Sequence, residues 1–243
     1  MLITSLGNDK IKNVTKLHLK KYREEEHKFL VEGDHLVSEA YKNNALLEVF
    51  VLDGKEYNFE GINTTYVTEE VMKKISEQDS STDIIGVCKM LDEKLEIGKN
   101  LIVLDALQDP GNLGTIIRSA AAFNYNVVLG DNTVDIYNSK VLRSTEGMIF
   151  NISFIKSNIE EFIKNHDEYS FFVADMNKGV NVKDLNISGL IAIIVGNEGN
   201  GISNTIRSLD LNYVHINQSK VCESLNVGVA ASIIMHELGD INE

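Results

Sequence analysis

The stretch Asp105-Ala-Leu-Gln-Asp109-Pro110-Gly111-Asn112-Leu-Gly114-Thr-Ile-Ile-Arg118-Ser-Ala-Ala-Ala-Phe123 decides the fold. An apolar run, Leu101 to Leu104, leads into it and reads as a buried strand. Leu113 to Phe123 leaves it as a helix packed through Ile116, Ile117, Ala120 and Phe123. Between strand and helix lies Pro110, the only proline in the chain. Its ring fixes φ and removes a backbone donor, and Gly111 can take positive φ, so the turn is sharply defined. Asn112 stands where an N-cap is expected. Arg118 falls inside an otherwise small and apolar helical segment. A guanidinium keeps its charge, so Arg118 must meet an anion, a carboxylate or a cavity.

The same alternation continues toward the C-terminus. Val127–Leu129, Phe171–Ala174, Ile191–Val195 and Tyr213–Ile216 read as further strands. Ser139–Ser144, Ile159–Lys164, Ser203–Leu209 and Asn226–Leu238 read as helices. Near-continuous apolar strands separated by helices predict a parallel sheet covered on both faces.

Two more turns in this region carry chemistry-bearing residues. Ile191–Val195 ends in Gly196-Asn-Glu198-Gly-Asn-Gly201. The glycine order is the reverse of the dinucleotide fingerprint, and no Gly-Lys-Ser/Thr follows, so neither a Rossmann dinucleotide site nor a P-loop is expected. The glycines would allow close backbone approach to a flat ligand. Farther on, Glu223-Ser224-Leu225-Asn226-Val227 opens the last helix, and Ser224 or Asn226 is placed to cap it.

Together the three stretches closely resemble the signatures of the SpoU/TrmH branch of the SPOUT RNA methyltransferases. The first matches through Asp105, Asp109-Pro110, Asn112, Gly114 and Arg118. The second matches through Gly196, Glu198, Gly199 and Gly201, and the third through Ser224-Leu225-Asn226-Val227. They occur in family order and together span most of residues 101 to 238. The match departs before the third signature. The family usually has Ile-Pro-Met-x-Gly there, and this chain has Ile216-Asn217-Gln218-Ser219-Lys220. Arg143-Ser-Thr-Glu-Gly147 resembles a further family segment, although Gly147 also reads simply as a helix stop.

The N-terminal part is a smaller α/β region. Asn8 is placed to cap a helix running to about Lys21, with Ile11, Val14 and Leu17 on one face. Lys10, Lys12, Lys16, Lys20, Lys21 and Arg23 follow one another with no acidic residue between them, although the chain as a whole carries a net charge of −13. Phe29–Val31, Leu46–Leu52, Thr64–Val67 and Ile84–Met90 read as strands. Asp34 is placed to cap one intervening helix and Thr68 to start another. The pattern Ile3-x-Ser5-x-x-Asn8, followed by Phe29-Leu30-Val31-Glu32-Gly33, is similar to the ribosomal-protein-like substrate-binding domain that precedes many SpoU-type enzymes. The expected division is a substrate-binding domain over 1–92, a linker over 93–100 and a methyltransferase domain over 101–243. Cys88 and Cys222 lie far apart and suggest neither a disulfide framework nor a metal site. No apolar run reaches membrane-spanning length, and no secretory signal is visible, so a cytoplasmic location is expected.

The resemblance implies an α/β SPOUT domain with a deep trefoil knot, a homodimer formed through that domain, and S-adenosylmethionine as cofactor. By position, Gly196, Ile216 and Leu225 would hold the cofactor. Arg118, Asn112, Glu198, Ser224 and Asn226 would be the catalytic set, with Arg118 stabilising charge on a ribose 2′-oxygen. No metal is expected. Lys12, Lys16, Lys20, Lys21 and Arg23 are the candidate RNA contacts. Ribosomal RNA is the favoured substrate. Transfer RNA, or a non-enzymatic role in ribosome assembly with the fold retained, is the alternative.

Overall fold

The computed structural model describes residues 2–78, 82–219 and 221–239. The chain divides into two compact units: residues 1–91 with 135–151, and residues 92–134 with 152–243.

The first unit opens with β1 (Leu2–Ile3), α1 (Asp9–Lys16), α2 (Lys20–Glu26), β2 (Lys28–Glu32) and α3 (Asp34–Lys42). It continues through β3 (Leu46–Leu52), β4 (Asn63–Val67), α4 (Glu69–Ile75) and β5 (Ile84–Lys89). The five strands form a mixed sheet in the order β1-β4-β3-β5-β2. Asn8 caps α1 by accepting from the Lys10 N–H at 2.9 Å. The helix predicted to run on to about Lys21 instead stops at Lys16, and α2 starts after Leu19. Two groups hold this break. Leu17 is buried, and the Arg23 guanidinium donates to the carbonyls of Leu17 and His18 at 3.0 and 2.7 Å. Gly33, not Asp34, occupies the cap position of α3, at φ +93°. Ile11, Val14, Leu17, Phe50, Val71 and Ile75 share one core on the sheet.

The second unit begins with β6 (Leu101–Leu104), α5 (Pro110–Ala122) and β7 (Asn126–Leu129). Residues 135–151 then belong to the first unit and contain α6 (Ser139–Ser144) and a 3-10 turn over Met148–Asn151. There Tyr137 and Phe150 pack on Phe29, with ring centroids 4.6 and 6.2 Å away. The second unit resumes with β8 (Phe154–Lys156), α7 (Ile159–Asn165), β9 (Tyr169–Ala174) and β10 (Val180–Asn181). It ends with β11 (Leu190–Val195), α8 (Asn204–Arg207), β12 (Asn212–His215) and α9 (Val227–Leu238). The strand order is β10-β12-β9-β11-β6-β7-β8, and every neighbouring pair is parallel. Leu101 to Leu104 and Ile191 to Val195 are buried, as strands covered on both faces require. The stretch expected as a linker is tied along this unit. Glu96 and Asn126 exchange two hydrogen bonds, and Lys94 bridges to Phe154.

In this parallel sheet β6 and β11 are adjacent, in the register Leu104↔Val195. The turn after β6 and the turn after β11 therefore leave the sheet side by side at the carboxyl ends of the strands. Crevices of open α/β sheets characteristically form there.

Candidate active site

Helix α5 starts earlier than its apolar pattern suggests. Asp109 is the N-cap and accepts from the Asn112 N–H at 2.8 Å, with Pro110 at the first helical position. Asn112 is thereby relieved of the capping role expected of it. It lies inside the first turn, 8% exposed, with its amide turned toward the other two signature stretches.

That amide links the three turns. Asn112 Nδ2 donates to Glu198 Oε1 at 3.0 Å, and Asn112 Oδ1 accepts from Asn226 Nδ2 at 2.8 Å. Asn226 caps α9, its Oδ1 accepting from the N–H groups of Gly228 and Val229 at 3.0 and 3.2 Å. The sense of the chain is fixed from its ends. Backbone N–H groups only donate, so Asn226 must offer them its oxygen, and its NH₂ then faces Asn112. Asn112 must likewise offer oxygen to Asn226 and NH₂ to the Glu198 carboxylate. Each bond polarises the next in the same direction, from the helix N-terminus toward the carboxylate.

Glu198 also receives the N–H groups of Asp109 and Gln108 at 2.9 and 3.2 Å. Burial pushes its carboxyl upward, but the donors from Asn112, Asp109 and Gln108 outweigh that and hold it below the usual carboxylate value. Other bonds lock the same two turns. Asn197 Nδ2 donates to the carbonyl of Ala106 at 3.0 Å, and Asn197 Oδ1 accepts from Gly199 and Asn200. Asp105, buried at the end of β6, accepts from the Ser203 N–H at 2.6 Å. Asn197 escaped the sequence reading. Its signal was an asparagine between two turn glycines, where its side chain can accept from the backbone two residues on.

Gly196 serves its own turn. A Cβ there would lie 2.4 Å from the Gly201 carbonyl carbon and 2.5 Å from the Ile202 nitrogen. The close approach that glycine permits is thus first of all to the other limb of the turn, not to a ligand. Beside this turn opens a cavity of about 630 Å³. Gly196, Glu198, Ile216, Ser224, Leu225 and Asn226 all line it, so all three expected cofactor residues and three of the five expected catalytic residues meet there. Val227, Ala230 and Ile234 give it an apolar wall, and Asp175, Arg207 and His215 add polar groups. Gln218, in the segment that departs from the family pattern, also lines it; Lys220 of that segment lies outside the described residues.

Arg118 is elsewhere. It is exposed and forms no ion pair among the described residues. It lines a separate depression on the α5–α9 face with Thr115, Ser119, Ser232 and His236. Among the expected RNA contacts, Lys12, Lys16, Lys20 and Lys21 are exposed. Lys20 and Lys21 lie 3.7 and 3.8 Å from Glu24 and Glu25. Arg23 does not belong to that face. It is 6% exposed, and its guanidinium pairs with Asp135 at 2.5 Å. A charge run read in one dimension could not show that helix α2 turns its fourth residue inward. Among the described residues no group of His, Cys, Asp and Glu could hold a metal, and no helix is long and apolar enough to cross a membrane.

Residues 99–236 match the SpoU rRNA Methylase family, and residues 8–86 match the MRM3-like substrate binding domain. The 23S rRNA (guanosine(2553)-2'-O)-methyltransferase RlmP of Bacillus subtilis is 36% identical over 97% of this chain and 98% of its own length. The AdoMet-bound rRNA methyltransferase of Sinorhizobium meliloti is similar with a TM-score of 0.84 and 25% identity, over 98% of this chain and 96% of that one. AviRb of Streptomyces viridochromogenes, solved with AdoMet, shares the fold at a TM-score of 0.83 and 20% identity, over 95% and 96% of the two chains.

Proposed function

The chain belongs to the SpoU rRNA methylase family, and from that premise we propose that it methylates a ribose 2′-hydroxyl of ribosomal RNA with S-adenosylmethionine as donor. The observation that carries this reading is the Glu198–Asn112–Asn226 chain at the cavity. Three turns far apart in sequence are locked into one mouth, and a volume of about 630 Å³ falls within the range of small-molecule pockets.

The lining suits the cofactor. Ile216, Leu225 and Val227 offer apolar contact to an adenosine, Asp175 and Glu198 offer carboxylates to a cation, and Arg207 offers a guanidinium to a carboxylate. S-adenosylmethionine supplies a methyl group on a sulfonium, already a good leaving group. The protein's share is to hold the 2′-oxygen in line and to favour loss of its proton. Ser224 and Asn226 orient the ribose at the rim of the cavity. Glu198 and Asn112 hold the rim in shape. Arg118 stabilises the developing negative charge on oxygen, since a guanidinium is too weak an acid to serve readily as a base.

Because Arg118 lies outside the cavity of its own chain, this reading takes it to the cavity of a second copy, in a homodimer formed through the second unit. The reading also keeps the trefoil knot of the C-terminal part. It retains residues 1–92 as the RNA substrate-binding domain, 93–100 as the linker and 101–243 as the methyltransferase domain. Lys12, Lys16, Lys20 and Lys21 meet RNA phosphates, and the protein works in the cytoplasm. RNA rather than DNA is the substrate because only RNA carries the 2′-hydroxyl.

Mass-spectrometric mapping of 2′-O-methyl nucleotides in ribosomal RNA from cells with and without this protein tests the proposal. One ribose methyl should vanish with the protein. An unchanged ribosomal map would remove ribosomal RNA as the substrate.

A further inference from the structure

The first unit carries a groove of about 470 Å³ that the methyl-transfer site does not use. Lys10, Lys16, Tyr22, Glu25, Lys28 and Glu48 are among its lining residues, and Phe50 forms part of its floor. Cations and aromatic rings are paired in it, and Lys21, which does not line it, lies over the same Tyr22 ring. The ammonium groups of Lys16 and Lys21 lie 5.8 and 5.7 Å from the Tyr22 ring centroid, and that of Lys10 lies 5.3 Å from the Phe50 centroid. Lys16 has no ion pair among the described residues; its ammonium donates to Asn13 Oδ1 at 3.0 Å. Tyr22 is half-buried, and its position at the start of α2 is braced from beneath. Its N–H donates to the carbonyl of Leu19, and the neighbouring Arg23 ties the α1–α2 break to Leu17, His18 and Asp135.

We propose that this groove takes an unpaired nucleotide of the RNA substrate, stacked on Tyr22, with Lys16 and Lys21 on the adjoining phosphates. The inference rests on the RNA methyltransferase reading above. Ring and flanking cations match what single-stranded recognition uses, a π-face for the base and positive charge for the backbone beside it. The carboxylates decide against a duplex. Glu25, Glu26 and Glu48 all line the groove, each beside a lysine, Lys21, Lys28 and Lys10 in turn. A double helix would lay continuous rows of phosphates across them, whereas one extruded base brings N–H donors that a carboxylate can accept.

Fluorescence anisotropy with the full-length protein tests this, using a twelve-nucleotide single-stranded RNA and the same sequence as a blunt duplex. No cofactor is added, so RNA binding is read apart from methyl transfer. The single strand should bind more tightly than the duplex. Tyr22→Ala should weaken single-strand binding by about 10- to 100-fold, the range of one lost base stack, while Tyr22→Phe binds like wild type. Lys16→Gln should lower the salt dependence by about one phosphate contact, and Tyr22→Ala should leave it unchanged. Tyr22→Ala binding like wild type, or a duplex binding as well as the single strand, would overturn the groove assignment while leaving the methyltransferase reading standing. Failure of the wild type to bind either RNA would overturn both.

Discussion

Both ends of the Asn112 amide are committed, one to Glu198 and one to Asn226, and that commitment explains why an asparagine stands inside the first turn of α5. Glu198 is the charged end of the chain, and its carboxyl is held low by N–H donors from Asn112, Asp109, Gln108 and its own backbone. A glutamine at 198 would present an NH₂ toward at least one group that itself only donates, so the substitution is not isosteric in function. The stability Glu198 contributes is present above the ordinary carboxylate range. It fades as pH falls through the lowered folded-state value. Wild type should therefore melt at higher temperature than Glu198→Gln at pH 7, and the gap should narrow as pH falls below the ordinary glutamate range. Thermal melts from pH 3 to 8 measure this; a gap independent of pH would show that the carboxylate charge is not what holds the turns together.

At the scale of elements, the strands and helices of the second unit were legible because their apolar runs are long and cleanly punctuated. Leu101–Leu104 and Ile191–Val195 emerge as adjacent buried strands. Elements too short to show a period, such as β8 and β10, left no such signal. Boundaries set by single side chains were also hidden. Asp109 takes the cap from Asn112, and Arg23 breaks the N-terminal helix by binding the carbonyls of Leu17 and His18. That three turns hold polar side chains suited to a shared site was readable from their residue types. That the Asn112 amide joins the first turn to both of the others was not, because it depends on the register of β6 against β11 and on where α9 begins. Gly196 shows how tightly the second turn is closed, with Asn197 and Gly201 exchanging backbone hydrogen bonds at 2.9 Å across it. Gly196→Ala should force that turn open and lower S-adenosylmethionine affinity by at least about tenfold, roughly the loss of one well-made contact. Calorimetry reads the affinity, and an unchanged value would detach the turn from the cofactor.

For the whole molecule, the separation of Arg118 from the cavity becomes an argument about copies. If one chain's Arg118 serves the other's cavity, Arg118→Ala and Asn226→Ala carry complementary defects. Each variant alone should be inactive, and mixing the two after subunit exchange should restore part of the activity, because one site in each mixed dimer is intact. No recovery on mixing, with dimers present, would place both residues in one chain's site. The most direct test of the central claim is transfer from S-adenosylmethionine carrying a deuterated methyl to ribosomal RNA, followed by nuclease digestion and mass spectrometry. The account predicts a deuterated methyl on a ribose 2′-oxygen, lost with Asn112→Ala. A deuterated methyl on a base, or full transfer by Asn112→Ala, would contradict it.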